Sequence, residues 1–523
     1  MRKILNIAIG VLACMSMWAV PARRDGRRMV GADGVTKTVY MHGNEDFHYL
    51  TDETGVWLDE KTLLPLPEEM KGERVKGKGE RAVRRAVKAT GVDRLLAPRG
   101  PVILVSYQDS TFVHTREALV DWAMGENYSY NGATGSINRY FNDVSGGQYN
   151  LQLDIYGPVQ VSKAATYYGS NSQSGYDLHP DALVVEACQL AAAQGADFSQ
   201  YDSDNDGKVD FVVIIYAGLG EADSYLEETI WPHQDDLNHY GNTITLNGKT
   251  IDHYCCLNEI DAVTGELCGI GTFCHEFSHI MGLPDIYSTA QGANFKTLGE
   301  WDIMDYGCYN NGGNTPPAYS AYERWWMGWM KPTLLNQAAS VTLGPLYTSR
   351  EAAYLTGSGE PVTNILRPNP TLFYILENRQ QTGWDTYIPG HGLLVTKINY
   401  HYNWWNGNTV NYSSTNMGID IQEADGLTPL YNKNNRANGY FGKQGDAYPA
   451  DTVTSFTTVS AYPVTHIAEN NGVITFDVMG GGEAITLDIE PVRSAEKPVK
   501  AIREGRVVII RDGKTYDLTG RQL

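Results

Sequence analysis

Short hydrophobic runs separated by turn residues mark the first part of the chain. Between residues 33 and 64 they predict three strands, over Thr38–Met41, Phe47–Leu50 and Val56–Leu58. The segment Asp52-Glu53-Thr54-Gly55 is typical of a turn between the last two. The pattern therefore predicts a small β-rich unit near the N-terminus.

From Pro98 onward, longer apolar runs alternate with amphipathic segments. Pro101–Tyr107 (PVILVSY) and Phe211–Tyr216 (FVVIIY) are predicted to be buried strands, and Ser136–Val144 and Ala182–Ala193 to be helices. Buried strands that alternate with helices favour an α/β domain, which we assign to residues 98–335.

After about residue 335 the pattern is almost entirely that of strands bounded by Gly, Asn, Asp or Pro. The strands predicted there are Leu372–Leu376, Gly392–Ile398, Gly418–Gln422 and Val473–Val478. This pattern predicts a β-rich, sandwich-like domain over residues 336–490. The basic tail, residues 491–523, has strand-like runs at Val507–Arg511 and Thr515–Leu518, and we interpret it as an added hairpin or a sorting element.

The N-terminus has the pattern of an export signal. Arg2 and Lys3 precede an apolar run, and Val20-Pro21-Ala22 offers small residues for cleavage, so residues 1–22 are predicted to be a signal peptide. The alternative is a lipid anchor on Cys14, in the segment Val11-Leu12-Ala13-Cys14. No segment has the length of a transmembrane helix, so we expect a secreted or cell-surface protein.

Residues 23–97 are predicted to be a pro-region. Their last part, residues 71–94, is rich in Lys and Arg and poor in large apolar residues, as in an exposed linker that proteases cut easily. A plain interdomain tether is the simpler reading, and an activation segment in a zymogen is the functional one.

Charge and cysteine content narrow the possible functions. The chain of 523 residues has a formal net charge of −20 and a pI near 5.0, so it repels phosphate backbones and nucleic acid is not an expected partner. Apart from Cys14, its cysteines are Cys188, Cys255, Cys256, Cys268, Cys274 and Cys308. An exported protein permits disulfides among them, but the sequence does not choose a pairing.

The stretch CHEFSHIMGLPDIY, residues 274–287, contains the candidate chemistry and is predicted to lie on a helix whose N-terminus Thr272 can cap. His275 and His279 are four residues apart, so on a helix they share one face and can bind one Zn²⁺ ion. Glu276 follows the first histidine directly, where its carboxylate can act as general base on a water molecule. Two incidental histidines on an ordinary helix are the alternative reading of these five residues.

The residues that follow favour a metal site. Gly282 can stop the helix and turn the chain back, so that Asp285 supplies a third ligand. Downstream, Met304 lies in WDIMDYG, which looks like the Met-turn of metzincins. Glu300 is the rival third ligand, at a spacing nearer to that of thermolysin-like enzymes. Tyr306 either contacts the reacting group or only packs beside the site.

These segments together resemble the immune inhibitor A family of secreted bacterial zinc metallopeptidases. The similar segments span roughly residues 98–450 and are GSINRYFNDVSGGQYNL (135–151), IWPHQ (230–234), HEFSHIMGLPDIY (275–287), WDIMDYG (301–307), AYERWWMGW (321–329), FYILENRQ (373–380), PGHGLL (389–394) and ADG (424–426). The resemblance implies an α/β zincin (metzincin-like) catalytic domain, a β-rich domain after it and a pro-region before it. It also implies that His275, His279 and Asp285 bind zinc and that Glu276 is the catalytic base. No cysteine occurs between residues 23 and 187, which excludes latency by a cysteine switch.

A second metal site is predicted in the acidic stretch DSDNDGKVD, residues 202–210. Side chains of Asp202, Asp204, Asp206 and Asp210 and the carbonyl group of Lys208 could surround a structural Ca²⁺ ion. Position 12 of an EF-hand loop would be Val213, so this is not a true EF-hand. An acidic turn held by Asx hydrogen bonds is the alternative.

The sequence thus predicts a secreted zinc endopeptidase that acts on proteins or peptides and is made as a precursor. Two other functions stay open: a surface adhesin with a vestigial zincin domain, and a metal-dependent amidase acting on cell-wall material. The intact Glu276 argues against the adhesin. Cleavage preference, natural substrate and oligomeric state cannot be predicted from the sequence.

Overall fold

The computed structural model describes residues 18–45, 47–67, 70–71, 98–172, 175–290, 293, 295–426, 444–450, 452–485, 487, 499–503, 506–511 and 514–516. The predicted lipid acceptor Cys14 and nearly all of the basic linker 71–94 lie outside these residues, as does most of the predicted signal peptide.

Strands are numbered here in chain order. They are β1 (Trp18–Ala19), β2 (Arg27–Val30), β3 (Thr36–Asn44), β4 (Phe47–Asp52), β5 (Trp57–Leu58), β6 (Arg99–Ser106), β7 (Gln152–Gln160), β8 (Val212–Leu219), β9 (His233–Asp236), β10 (Ile244–Leu246), β11 (Lys249–Ile251), β12 (His253–Ile260), β13 (Thr333–Leu334), β14 (Ala339–Leu343), β15 (Ala352–Thr356), β16 (Leu372–Arg379), β17 (Gly392–Asn399), β18 (Ile419–Ile421), β19 (Val464–Asn470), β20 (Val473–Val478), β21 (Ala484–Ile485), β22 (Val499–Arg503), β23 (Arg506–Arg511) and β24 (Lys514–Tyr516).

The α-helices are numbered in the same way. They are α1 (Arg116–Met124), α2 (Ile137–Ser145), α3 (Ala165–Gly169), α4 (Pro180–Ala193), α5 (Glu221–Ser224), α6 (Gly271–Ile280), α7 (Ala321–Trp326), α8 (Leu346–Ser349) and α9 (Tyr402–Asn406).

A six-stranded sheet with the order β1-β9-β12-β8-β6-β7 forms the centre of the α/β region. Strands β12, β8, β6 and β7 are parallel, and β9 pairs antiparallel with β12. Parallel strands are covered on both faces, which is why β8 is an almost unbroken apolar run with its first six residues buried. The sheet and its helices fit the zincin-like α/β domain that the sequence predicts.

Helix α6 packs its apolar side chains against this sheet. The ring of Phe277 meets those of Phe211 and Phe141, with centroids 4.8 and 5.3 Å apart. The opposite side of the helix presents His275 and His279. Burial of the apolar side chains on one side of α6 therefore fixes the direction in which both histidines point.

The described residues from 333 to 485 form two β-sheets, in agreement with the strand-like pattern after residue 335. Their orders are β13-β15-β16-β17-β18 and β19-β20-β14-β21, and a buried apolar layer that includes Leu343, Leu376 and Phe476 lies between them. The other face of the first sheet joins the core of the α/β region: Phe373 packs against Trp325, with ring centroids 5.9 Å apart. A shared core thus crosses the predicted boundary at residue 335, and that boundary stays a prediction.

Most of the strands and helices predicted from the pattern are present, with ends shifted by a few residues. The three N-terminal strands form the antiparallel sheet β2-β3-β4-β5 together with Arg27–Val30, which was not predicted. The tail forms a three-stranded sheet, β22-β23-β24, rather than a hairpin. The sequence analysis missed β7, although its first residues alternate between half-buried and buried positions. It also missed β9 and β12, which are buried along nearly their whole length although they contain polar residues. Among the described residues, no helix has the length and apolar character needed to cross a membrane.

Candidate active site

Helix α6 carries the two histidines of the predicted zinc motif. It begins at Gly271, where a side chain would collide with the carbonyl oxygen of Cys308, since a Cβ atom would lie 1.8 Å from it. Thr272 does not cap the helix as proposed from the sequence, because residue 270 occupies the N-cap position and makes no side-chain capping bond. Gly282 has a φ of +91°, the left-handed conformation that was predicted to turn the chain back.

Three ligand atoms converge beneath this turn. The Nε2 atoms of His275 and His279 lie 3.2 Å apart, and Asp285 Oδ1 lies 3.1 and 3.3 Å from them. Tetrahedral ligands at the usual Zn–N and Zn–O distances of about 2.0–2.1 Å are separated by about 3.3 Å, so the three atoms fit one zinc ion. All three residues are buried.

The alternative third ligand is not part of this group. Glu300 does not join the candidate metal-binding clusters found among the described residues, whereas Asp285 does. Burial raises the pKa of Glu300 to about 8, which favours an uncharged carboxyl group. The geometry therefore supports Asp285 over Glu300.

Hydrogen bonds to main-chain carbonyl groups fix the orientation of both imidazoles. His275 Nδ1 donates to the carbonyl oxygen of Ile303 at 2.8 Å, and His279 Nδ1 donates to that of Leu283, also at 2.8 Å. With the proton on Nδ1, each Nε2 is left with a lone pair directed at the metal position. Burial lowers the pKa of His279, which also favours the neutral ligand form.

Asp285 has the electrostatics of an ionised ligand. Its burial opposes ionisation, but in the metal-free protein the imidazoles of His279 and His275 outweigh burial when they are protonated and lower the pKa of Asp285 to about 2. A metal cation between neutral imidazoles would favour the ionised carboxylate in the same way. Its second oxygen, Oδ2, accepts a 2.5 Å hydrogen bond from Asn408 Nδ2. Sequence reasoning missed Asn408, because it lies 123 residues further along the chain and belongs to no recognisable motif.

Glu276 is completely buried beside the two histidines. Its Oε1 accepts a hydrogen bond of 2.7 Å from the main-chain N–H of Val20, and its Oε2 has no hydrogen-bond partner among the described residues. Burial and then the negative charge of Asp285 raise the pKa of Glu276 well above its usual value. A carboxylate with an unused oxygen and an elevated proton affinity is suited to accept a proton from water.

The predicted Met-turn lies against the ligand loop. Met304 is fully buried, and its carbonyl oxygen accepts a 2.8 Å hydrogen bond from the N–H of Ile286. Together with the carbonyl group of Ile303, this segment supports both a ligand histidine and the loop that carries Asp285. The segment therefore holds these residues through its main chain, and its role as a Met-turn stays a prediction.

Tyr306 is buried next to Tyr287, with ring centroids 6.4 Å apart. The guanidinium carbon of Arg24 lies 3.6 Å from the centroid of the Tyr306 ring. Burial raises the pKa of Tyr306 to about 12, so its hydroxyl group is a donor at neutral pH. A contact of Tyr306 with the reacting group stays a prediction.

Residues at the start of the described chain, Trp18–Arg24, lie over this site. Strand β1 pairs antiparallel with β9, with Ala19 opposite His233. The carbonyl oxygens of Ala19, Val20 and Pro21 accept hydrogen bonds from Tyr287 Oη, Trp231 Nε1 and Tyr309 Oη at 2.5, 3.0 and 2.8 Å. Arg23 forms a buried ion pair with Asp261. The last residues of the predicted signal peptide are thus part of the packed structure.

The predicted calcium loop brings together three of its four aspartates. Oxygens of Asp202, Asp204 and Asp210 lie within 4.8 Å of one another, whereas Asp206 accepts a hydrogen bond from the N–H of Lys208. Lys249 Nζ forms a 2.5 Å ion pair with Asp202 Oδ2. The ammonium group of Lys249 therefore compensates part of the negative charge of the loop without a metal ion.

The six cysteines from Cys188 to Cys308 are free thiols. Burial raises the pKa values of Cys188 and Cys274, as expected for thiols that pack as small apolar groups. The disulfides that an exported protein permits are therefore not formed among these residues.

Comparison with known proteins decides the family of the domain that holds the site. Residues 107–331 match the family model of the immune inhibitor A peptidase M6 catalytic domain. They belong to the immune inhibitor A family of metallopeptidases. All three candidate ligands, Glu276 and the Met-turn fall inside the matched residues.

Two curated relatives illustrate this similarity. The chain is 28% identical over 217 residues to the pre-pro-metalloprotease PrtV of Vibrio cholerae, an alignment that covers 36% of this chain and 23% of PrtV. It is 24% identical over 225 residues to immune inhibitor A of Bacillus thuringiensis, over 36% of this chain and 31% of that protein. The alignments thus cover less than a third of either relative.

Proposed function

We propose that the protein is a zinc-dependent endopeptidase that hydrolyses peptide bonds in proteins. The observation that carries this proposal is the convergence of His275 Nε2, His279 Nε2 and Asp285 Oδ1 within 3.3 Å of one another, on the same helix and loop as Glu276. The match to a metallopeptidase catalytic domain supports the same reaction class.

In this mechanism, His275, His279 and Asp285 hold zinc, which when bound supplies a Lewis acid that polarises the scissile carbonyl group and acidifies water. Glu276 Oε2 removes a proton from the attacking water molecule. The same carboxyl group then transfers that proton to the leaving amine nitrogen. Burial raises the pKa of Glu276 above its usual value, which makes its carboxylate a stronger proton acceptor.

The test is casein cleavage, measured before and after tryptic removal of the N-terminal region, combined with metal analysis of the purified protein. We expect about one zinc per chain and proteolysis that a chelator abolishes and added zinc restores. The variant Glu300→Gln is the matched control, because it removes the rival carboxylate, and it should keep zinc and activity. Proteolysis that resists a chelator, or zinc lost in Glu300→Gln alone, would contradict the assignment.

No observation favours the adhesin or the amidase. The same preparations assayed on cell-wall fragments alongside casein would detect an amidase. An adhesin would give no chelator-sensitive product on either substrate.

We further propose that the protein is exported and made in a latent form, with Trp18–Arg24 as the cover of the cleft. Two contacts support this proposal. The main-chain N–H of Val20 donates a hydrogen bond to Oε1 of Glu276, and the guanidinium group of Arg24 lies over the ring of Tyr306. The name of PrtV, a pre-pro-metalloprotease, describes a comparable precursor for that protein.

The two processing sites predicted from the sequence have opposite consequences for this cover. Cleavage after Ala22 would remove Val20, whereas cleavage before Cys14 would keep it. The burial of Ala19, Val20 and Ala22, all at most 3% exposed, favours a latent form that retains them. N-terminal sequencing of the exported protein distinguishes the two cases.

Weakening the cover should activate the precursor. Arg23→Ala removes the ion pair with Asp261 without altering a candidate catalytic residue, so its basal proteolysis should exceed that of the parent precursor. Arg28→Ala is the control, because Arg28 is exposed. Equal basal activity in all three precursors, with no rise after tryptic removal of the N-terminal region, would disprove the cover.

Calcium at residues 202–210 stays a proposal for a structural ion. It rests on the proximity of Asp202, Asp204 and Asp210, and the ion pair of Lys249 with Asp202 competes with it.

A further inference from the structure

The loop that carries the third candidate ligand has no regular secondary structure of its own. After Gly282, residues 283–286 are neither helix nor strand. A ligand on such a loop needs support from elsewhere, because its carboxylate must stay within a few tenths of an ångström of the productive position. Much of that support comes from the region after residue 335.

Asn408 and Asp285 form a reciprocal pair of hydrogen bonds. Asn408 Nδ2 donates to Asp285 Oδ2 at 2.5 Å, and the main-chain N–H of Asp285 donates to Asn408 Oδ1 at 2.8 Å. Asn408 is 1% exposed, so water does not compete for either bond. The amide thus holds the side chain and the main chain of the ligand at once.

This pairing determines which carboxylate oxygen faces the histidines. With Oδ2 engaged by Asn408, Oδ1 remains 3.1 Å from His275 Nε2 and 3.3 Å from His279 Nε2. Only an amide offers a donor to the carboxylate and an acceptor to the N–H group in one planar side chain. An aspartate at the same place would present two oxygens and repel Asp285.

The backbone at residue 408 also has a conformation that few residue types adopt. Asn408 has a φ of +52°, in the left-handed region that asparagine tolerates better than most residues. Its own carbonyl oxygen accepts a 2.8 Å hydrogen bond from Thr289 Oγ1, and Asn411 Nδ2 donates to the carbonyl oxygen of Ile286 at 2.8 Å. Several bonds therefore tie residues 285–289 to residues 408–411.

We propose that Asn408 is a positioning residue for the zinc site, acting through Asp285 although it lies outside the matched catalytic domain. The inference rests on the proposed function only in that His275, His279 and Asp285 bind zinc. It implies that the region after residue 335 sets the metal affinity of the peptidase domain. Groups that hydrogen-bond to metal ligands typically contribute 10- to 100-fold to affinity.

The test measures zinc affinity of the full chain by competition with a chromophoric chelator, in Asn408→Asp and Asn408→Gly. The first variant is nearly isosteric, and the second tolerates the positive φ if the first fails to fold. We expect about 10- to 100-fold weaker zinc binding in both, with the melting temperature of the metal-free protein changed much less than that of the zinc-loaded protein.

Asn411→Ala is the matched control. It removes the bonds of Asn411 with Ile286 and Ile419 but leaves the contacts of Asp285 intact. Zinc affinity that is unchanged in both Asn408 variants would overturn the inference, and so would an equal loss in Asn411→Ala, since the effect would then belong to the loop as a whole. Wild-type protein that binds zinc but cleaves no protein, even after tryptic removal of the N-terminal region, would refute the proposed function while leaving this inference testable.

Discussion

The two candidate metal sites of this protein differ in how far the fold prepares them. At His275, His279 and Asp285 every ligand is buried, and each has a second hydrogen-bond partner that fixes its orientation. At residues 202–210 the aspartates belong to one loop, Asp204 is exposed, and Lys249 already neutralises Asp202. A preformed site thus depends on distant parts of the chain, whereas the acidic loop depends mainly on its own turn.

Glu276→Gln should produce the largest effect, because it removes the proposed base and leaves the three ligands in place. We expect kcat to fall by about 10²- to 10⁴-fold, the usual contribution of a general base, while one zinc ion stays bound. Steady-state cleavage of a fluorogenic peptide and metal analysis on the same sample provide the measurement. Near-wild-type kcat with zinc bound would remove Glu276 from the mechanism.

Metal removal should separate the two sites by their effect on stability. A zinc-selective chelator should lower the melting temperature by several degrees, since a ligand at 100 times its Kd contributes about 2.7 kcal/mol. A calcium-selective chelator should lower it less, because Lys249 keeps part of the loop's charge compensated. Differential scanning calorimetry measures both decreases in melting temperature. A larger decrease with the calcium chelator would contradict the expected difference between the two sites.

The two regions should also respond to pH in opposite directions. Burial and the charge of Asp305 raise the pKa of Asp302, beside the Met-turn, to about 7. The folded state then binds more protons than the unfolded state between about pH 4 and pH 7, so this group costs stability as the pH rises through that window. In Asp302→Asn the melting temperature should depend less on pH there, and an unchanged profile would contradict the pKa direction.

In the acidic loop, we expect stability to fall as the pH falls, the opposite of the effect of Asp302. Burial opposes ionisation of Asp202, but the ion pair with Lys249 and hydrogen bonds from Gly207 and Asp206 lower its pKa. Its contribution to stability is therefore present above the ordinary aspartate pKa and is lost as the pH falls. Asp202→Asn should be less stable than wild type at neutral pH, and thermal unfolding should show this difference shrinking as the pH falls below the ordinary aspartate pKa of about 3.9. A difference that is independent of pH would contradict the direction of the pKa shift.

Asp204→Asn should have the smallest effect without calcium, because Asp204 is exposed and its replacement creates no cavity and no buried unpaired charge. We expect a melting temperature within about 2 °C of wild type and unchanged zinc content. Added calcium should stabilise the wild type more than this variant. Equal stabilisation of both would remove calcium from the loop.

Local patterns were sufficient for much of the candidate site. The spacing of His275 and His279 predicted a shared face because the helical repeat is local, and Gly282 was identified as the turn because its conformation is intrinsic to glycine. Thr272 was assigned wrongly as a cap, since the start of α6 is determined by close packing against Cys308 rather than by a capping side chain. Strands β9 and β12 were missed because pairing in the central sheet, not periodicity, makes them strands.

The sequence by itself determined which chemical groups the candidate site contains: two imidazoles, a carboxylate next to the first and an aspartate after a glycine turn, all within residues 275–285. Local rules of helix geometry and turn conformation apply over such short distances. Only the tertiary structure placed Asp285 rather than Glu300 beside the two histidines, Asn408 within hydrogen-bond distance of Asp285, and Val20 against Glu276. Those contacts join residues 123 and 256 positions apart, and such distances are closed by burial of a common core rather than by any local pattern.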